Sequence, residues 1–372
     1  MSKIGGIKVD LEKFRPRTDL AVEAREMFVE ENPEKKHELD GIIIKEYKKG
    51  EIKLTRVEID EEGSSRVGKS AGKYITIESH RLRDLDRDFA LEISSVLANE
   101  IKLLMDEHQI KKDAKCLVVG LGNGYVTPDA LGPQAVNKVH VTSHLFQFQP
   151  ELMSNDFRSV SAFTPGVMGL TGMETSDIIF GVVKKTNPDF IIVIDALAAR
   201  SIERVNTTIQ LSDTGINPGS GIGNNRKEVS EKTLGVPVFS IGIPTVVDAV
   251  TITNDTIDFI LKHFGREMRE GGRPARALAP SGMTFGERKI YSEEDLPDEQ
   301  TRKTYMGIIG SLSIDEKRQL IREVLSPTGQ NLMVTPKEVD EVIDHMSEII
   351  ALGINQCLHE AITIDNASQF IK

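Results

Sequence analysis

The stretch at residues 115–133, KCLVVGLGNGYVTPDALGP, constrains the fold more than any other in this chain. Residues 116–119 form a short apolar run of β type. Gly120, Gly122 and Gly124 follow at once, so the backbone can turn sharply and approach a neighbour closely. Asp129 then stands between Pro128 and an apolar, helix-like start. Open α/β sheets build their sites this way, with strands that end in a tight turn and deliver a side chain at the carboxyl edge. Residues 190–195, FIIVID, repeat the device with an acid at the end of a continuous apolar run. Two parallel strands would set Asp129 and Asp195 at the same edge of one sheet, and this pair is the candidate reaction centre.

The rest of the pattern fits such a sheet. Residues 20–32 have helical spacing behind Thr18 and Asp19, both good N-cap types. Residues 41–79 hold three strand candidates, GIIIKEY, EIKLTRVEI and KYITIES. Phe89, Ile93, Val96, Leu97, Ile101 and Leu104 predict a long amphipathic helix over 84–108. Beyond the central strand, strands are expected at 139–141, 190–195, 206–211 and 236–243, and helices at 176–186 and 245–264. Alternation of this kind predicts an α/β fold: a mostly parallel sheet with helices on both faces, plus a small N-terminal β region. Residues 1–19 read as a leader and 20–372 as a single domain. Within it, 265–330 is rich in Arg, Glu, Gly and Pro and reads as a surface excursion or flap. A packed helix is expected from Val339 to Leu352.

Several function classes are disfavoured. The net charge is -11 with no long basic block, which argues against direct nucleic-acid binding. No apolar run approaches the roughly 18 residues of a membrane span, and the N-terminus lacks the apolar core of a signal peptide. Two cysteines, Cys116 and Cys357, build no disulfide framework, so a cytosolic compartment is the simplest expectation. Both sit in apolar segments and read as buried thiols rather than nucleophiles. His140 and His144 read as strand residues roughly 13 Å apart, too far to share one metal, and no cluster has zinc spacing. GLGNG has Tyr125 where a dinucleotide fingerprint needs its third glycine, and GSGIGNN at 219–225 follows no convincing strand. No cofactor and no metal are expected.

Residues 63–70, GSSRVGKS, match the Walker A pattern letter for letter, from Gly63 through Gly68 and Lys69 to Ser70. With FIIVID as a Walker B strand, they raise nucleotide binding as the alternative function. A P-loop needs a helix directly after the lysine, because the helix N-terminus holds the phosphates. Here AGKYITI follows, with β alternation, so a polar loop between two strands is the favoured reading. The aspartates remain. Either alone reads as a helix cap or as a strand-end acid bonded to backbone amides. Brought close together, two carboxylates cannot both ionise easily; one pKa rises, and an acid and a base arise from one residue type.

With RTDLAVEARE at 17–26, LVVGLGNGYVTPDALGP at 117–133, FIIVIDALAAR at 190–200 and SIGIPTVVDA at 240–249, the chain resembles the germination proteases of spore-forming bacteria. The resemblance covers nearly the whole chain. It implies an endopeptidase, made as a zymogen and self-processed, that degrades small acid-soluble spore proteins in the forespore and spore core. It further implies a homotetramer, catalytic aspartates at Asp129 and Asp195, and removal of the leader between Asp19 and Leu20. The fold it implies resembles that of hydrogenase maturation proteases.

Overall fold

The computed structural model of the chain describes residues 3–4, 7–8, 18–31, 41–219, 226–270, 295–325 and 332–371. Contacts divide the chain into two compact units, residues 1–16 with 248–334, and residues 17–247 with 335–372. In the smaller unit β1 (Lys3–Ile4) and β2 (Ile7–Lys8) pair antiparallel. The helices Ala249–Glu270, Glu299–Met306 and Ile314–Leu325 make up most of the remainder. The expected helix at 245–264 therefore starts later and runs longer. The stretch 265–330 holds two further helices, while 271–294 and 326–331 lie outside the described residues.

The larger unit is built on one sheet. Its strands are β3 (Ile42–Lys49), β4 (Ile52–Ile59), β5 (Gly72–Glu78), β6 (Cys116–Gly120), β7 (Val160–Phe163), β8 (Phe190–Ala199), β9 (Thr208–Ser212) and β10 (Val238–Asp248). They lie in the order β3-β4-β5-β9-β10-β8-β6-β7. β10, β8, β6 and β7 are mutually parallel. β3, β4, β5 and β9 pair antiparallel, and β9 also pairs antiparallel with β10. The α/β class is as expected. The N-terminal β region is no separate sheet, because β9 bonds along both of its edges and fuses the antiparallel half to the parallel half.

Alternation within the central strands gives the sheet two unlike faces. Ile75 and Ile77 of β5, Ile209 and Leu211 of β9, Phe239, Ile241 and Ile243 of β10, and Ile192 and Ile194 of β8 share one apolar core. The helices Arg87–Glu107, Leu131–Lys138 and Val339–Leu358 contribute to that core. The first starts where Asp86 accepts from the backbone N–H groups of Asp88 and Phe89, and it turns Phe89, Ile93, Leu97, Ile101 and Leu104 inward. On the other face, next to β6 and β8, the helix Thr175–Thr186 packs Ile179 and Val183 on Leu117, Val119, Ile191 and Val193.

Three local expectations change. Residues 139–141 are not a strand: the helix Leu131–Lys138 ends there, Thr142 N–H donates to the Val160 carbonyl (3.0 Å), and the next parallel strand is β7. β7 is only four residues, VSAF, too short for an apolar run to stand out. His144 accordingly lies on the helix Ser143–Phe148, and His140 packs edge-on to His359, with ring centroids 5.5 Å apart. The polar loop expected over 63–70 is in large part a helix, Glu61–Val67. Asp60 caps its start and Gly68 closes it at φ 68°. β5 then follows Ser70. The helix therefore precedes Lys69, the reverse of a phosphate-binding loop.

Candidate active site

Asp129 follows the carboxyl end of β6, while Asp195 lies within the neighbouring parallel strand β8, one residue past the Gly120–Ile194 pairing that ends β6; β8 runs on to Ala199, beyond the expected strand 190–195. Beyond β6 the chain turns at Gly122 (φ 107°), where an added Cβ would lie 2.0 Å from the Asp129 carbonyl oxygen. Only glycine lets the chain pass so close. Asn123 N–H donates to Asp129 Oδ2 (2.7 Å), and the Thr245 hydroxyl donates to the Pro128 carbonyl (2.7 Å). The turn Thr127–Asp129 is thus held from both sides. Gly132, at the start of the next helix, comes so near β8 that a Cβ would sit 2.7 Å from the Ile194 carbonyl oxygen. Leu121 N–H donates to that same oxygen (2.8 Å). These approaches bring the Asp129 turn down beside β8.

Asp195 is 6 % exposed. Burial, then the charge of Asp129, then that of Asp19, hold its carboxyl well above the usual carboxylate range, and the Ala196 N–H bond to Oδ1 (2.9 Å) opposes them. Burial also raises Asp129, while the Asn123 N–H draws it back.

Asp195 belongs to a row that crosses the sheet. It pairs with Gly242 of β10, Gly242 with Gln210 of β9, and Gln210 with Thr76 of β5. Residues paired across a sheet share a face, here the one opposite the main apolar core. That face is buried yet polar: Thr76, Gln210, Ser212, Ser240 and Asp195 all lie at 7 % exposure or less, and Ser212 and Ser240 share a hydrogen bond (2.8 Å).

The Asp19–Leu20 junction lies across this face. Asp19 N–H donates to the Ala198 carbonyl (3.0 Å), and Ala198 N–H donates to Asp19 Oδ2 (2.8 Å), three residues beyond Asp195 on β8. Gln210 Nε2 donates to the Asp19 carbonyl oxygen (3.0 Å), while Gln210 Oε1 accepts from Ala21 N–H (2.7 Å). Lys69 Nζ donates to the Thr18 carbonyl (2.9 Å). Desolvation lowers the Lys69 pKa against the attraction of Asp19 and Glu23. Leu20 is fully buried. Asp19, expected as a helix cap, spends its carboxylate on Ala198 instead. The helix Ala21–Glu31 is anchored by buried Glu23, which accepts from the N–H groups of Arg200 (2.7 Å) and Ser201 (3.0 Å) and faces Arg204 at 3.5 Å. Glu23 also accepts from the Thr18 hydroxyl.

Gln210 and the Lys69 contact escape a reading of the sequence. One signal was present: TIQLS places a glutamine between Ile209 and Leu211, on the strand face that apolar residues do not claim. Among the described residues no group of three or more His, Cys, Asp or Glu is placed to hold a metal ion, and no helix is long and apolar enough to cross a membrane.

The fold is of the α/β class, and two carboxylates of raised pKa with a peptide segment near Asp195 are groups that could serve hydrolysis of a peptide. The germination protease family matches residues 21–371. The germination protease of Priestia megaterium is 58 % identical over 361 residues, covering 96 % of this chain and 98 % of its own. That of Bacillus cereus is 56 % identical over 362 residues, at 97 % and 98 % coverage. That of a Geobacillus strain is 57 % identical over 366 residues, also at 97 % and 98 %. Among solved structures, a [NiFe] hydrogenase maturation protease from Thermococcus kodakarensis aligns over 36 % of this chain and 74 % of its own, at 13 % identity and a TM-score of 0.23. The chain belongs to the germination protease family, and it is a peptidase.

Proposed function

We propose that this protein is an endopeptidase made as a zymogen, which cuts its own Asp19–Leu20 bond. The mature enzyme then degrades small acid-soluble spore proteins during germination, as a homotetramer in the spore core. Asp129 and Asp195 activate water against the peptide bond. The observation that carries this reading is the place of the Asp19–Leu20 junction, on the polar sheet face that also bears Asp195, near enough for the Asp19 charge to raise the Asp195 pKa.

The environments of the two carboxylates support one ordering of their roles. Asp195 is the more buried and faces two other carboxylates, so it holds a proton and donates to the amide. Asp129 keeps the Asn123 N–H bond that favours its ionised form, so it takes the proton from water. The pair titrates as a unit, and the pH profile belongs to both. Because Asp195 must hold its proton to act as the acid, mildly acidic conditions favour self-processing.

The test incubates the purified chain near pH 5, followed by N-terminal sequencing, and then adds a small acid-soluble spore protein. Wild type is expected to gain an N-terminus at Leu20-Ala21-Val22 and to degrade the added protein. Asp129→Asn and Asp195→Asn keep the shape of the site but lose its acid and base, so each is expected to slow both reactions about 10²–10⁴-fold. Cleavage by Asp195→Asn at the wild-type rate would sink the assignment.

A further inference from the structure

Resting on the reading that Asp19–Leu20 is the bond cut, we propose that Gln210 is a catalytic residue, the donor that stabilises the oxyanion formed at the Asp19 carbonyl. Its carboxamide straddles the bond: Nε2 donates to the carbonyl oxygen of Asp19 at 3.0 Å, and Oε1 accepts from the N–H of Ala21 at 2.7 Å. The first contact is to the oxygen that gains negative charge when water adds to the carbonyl carbon. The second fixes the chain one residue past the bond, so the carbonyl cannot rotate away.

Three features suit Gln210 to this task. It is 7 % exposed, and a donor in a dry site is worth more than one in water. It sits on β9, hydrogen-bonded on both sides by β5 and β10, so its backbone needs no reorganisation as charge develops. It also shares a row and a face with Asp195, two strands away, roughly 10 Å between backbones at the usual strand spacing. Gly242 between them carries no side chain, and the Leu197 side chain fills the space above it, 2.5 Å from where a Cβ would lie. The Asp19 carbonyl is thus held by a donor from the β9 side, and Asp195 on β8 is near enough to feel the charge of Asp19.

The reaction balances without further participants. Asp129 takes a proton from water as its oxygen bonds to the Asp19 carbonyl carbon. The carbonyl π electrons move to the oxygen held by Gln210. The C–N bond then breaks as Asp195 delivers its proton to the Leu20 nitrogen. A neutral amide donor stabilises the oxyanion without adding a charge beside three carboxylates. Because donor and carbonyl belong to one chain, the geometry makes processing intramolecular, with a rate independent of protein concentration.

The test compares the full-length wild type with Gln210→Met and Gln210→Glu. Three quantities are read: the rate at which the Leu20 N-terminus appears, the melting temperature, and trypsin cutting at Arg25 in an Asp195→Asn background, which reports whether the segment stays docked. Gln210→Met is expected to process about 10²–10³-fold more slowly, as for the loss of one oxyanion donor, with melting and trypsin cutting near those of the parent. Gln210→Glu keeps an acceptor for the Ala21 N–H but donates only when protonated. Its rate relative to wild type is expected to be lowest at pH 7 and to recover toward pH 4, while that of Gln210→Met stays level. A wild-type rate in Gln210→Met overturns the proposal. So does a loss of rate matched by new trypsin cutting, which makes Gln210 an anchor only. If wild type itself yields no Leu20 N-terminus, the proposed function fails and this proposal fails with it. A wild type that processes beside variants that process equally removes the Gln210 role alone.

Discussion

The two faces of the central sheet are made by the same strands and have opposite characters. Toward the helices Arg87–Glu107 and Val339–Leu358, β5, β9, β10 and β8 present Ile77, Ile209, Leu211, Ile241 and Ile194, packed dry. On the reverse they present Thr76, Gln210, Gly242 and Asp195, equally hidden from water but polar. Apolar packing tolerates any arrangement that fills the space. A buried polar face stays folded only if its groups find partners. Here the partners of Gln210 come from the protein's own N-terminal segment: the Asp19 carbonyl and the Ala21 N–H. A face whose glutamine is satisfied by a segment of peptide is suited to bind peptide.

The largest way to break the contrast is at Gly122. Gly122→Ala places a Cβ at a positive φ and against the Asp129 carbonyl oxygen. It is expected to lose self-processing by at least a hundredfold and to cost about 1–3 kcal/mol of stability, the range for overpacking, because the Asp129 turn must move. Thermal unfolding beside the processing rate checks both. An active Gly122→Ala enzyme would mean that the position of this turn does not matter.

A smaller effect is expected at Lys69. Lys69→Met removes one charge-assisted hydrogen bond to the Thr18 carbonyl. Allowing for its partial exposure, about a tenfold loss in self-processing is expected. Bound ATP would raise the melting temperature by mass action. Because the helix precedes Lys69, no rise is expected in either protein, and a rise lost in the variant would revive the nucleotide reading.

The smallest effect sharpens the contrast through stability. The folded pKa of Asp195 lies above its unfolded value of about 3.9. The folded state therefore binds this proton more tightly, and stability declines as pH rises from the unfolded value through the folded one. Asp195→Asn removes that decline. Its melting temperature is expected to exceed wild type by a few degrees at pH 7 and to match it near pH 3. The opposite sign would mean that Asp195 is stabilised in its ionised form.

Much of this architecture is legible in the order of residues along the chain. The apolar runs at 116–119 and 190–195 are strands because continuous β-branched stretches suit a sheet covered on both sides, and their position ahead of Asp129 and Asp195 follows from chain order. The alternation in KYITIES, TIQLS and VFSIGIP records that these strands have one apolar face and one other. Short or compensated elements do not show: β7 is four residues long, and residues 63–67 become helix because Asp60 caps the start from outside the motif and Gly68 within it closes the end.

By itself, then, the sequence determined the α/β alternation, the apolar runs ahead of Asp129 and Asp195 and the RTD-LAVE string, because each is a local pattern of side chains along one segment. Only the tertiary structure decided what meets them. β9 inserts antiparallel between β5 and β10, which puts Gln210 in the row of Asp195 and under the carbonyl of Asp19, 191 residues away in the chain. No local periodicity encodes a partner at that separation. It arises because a buried polar side chain needs hydrogen-bond partners, and Gln210 finds them in the chain's own N-terminal segment.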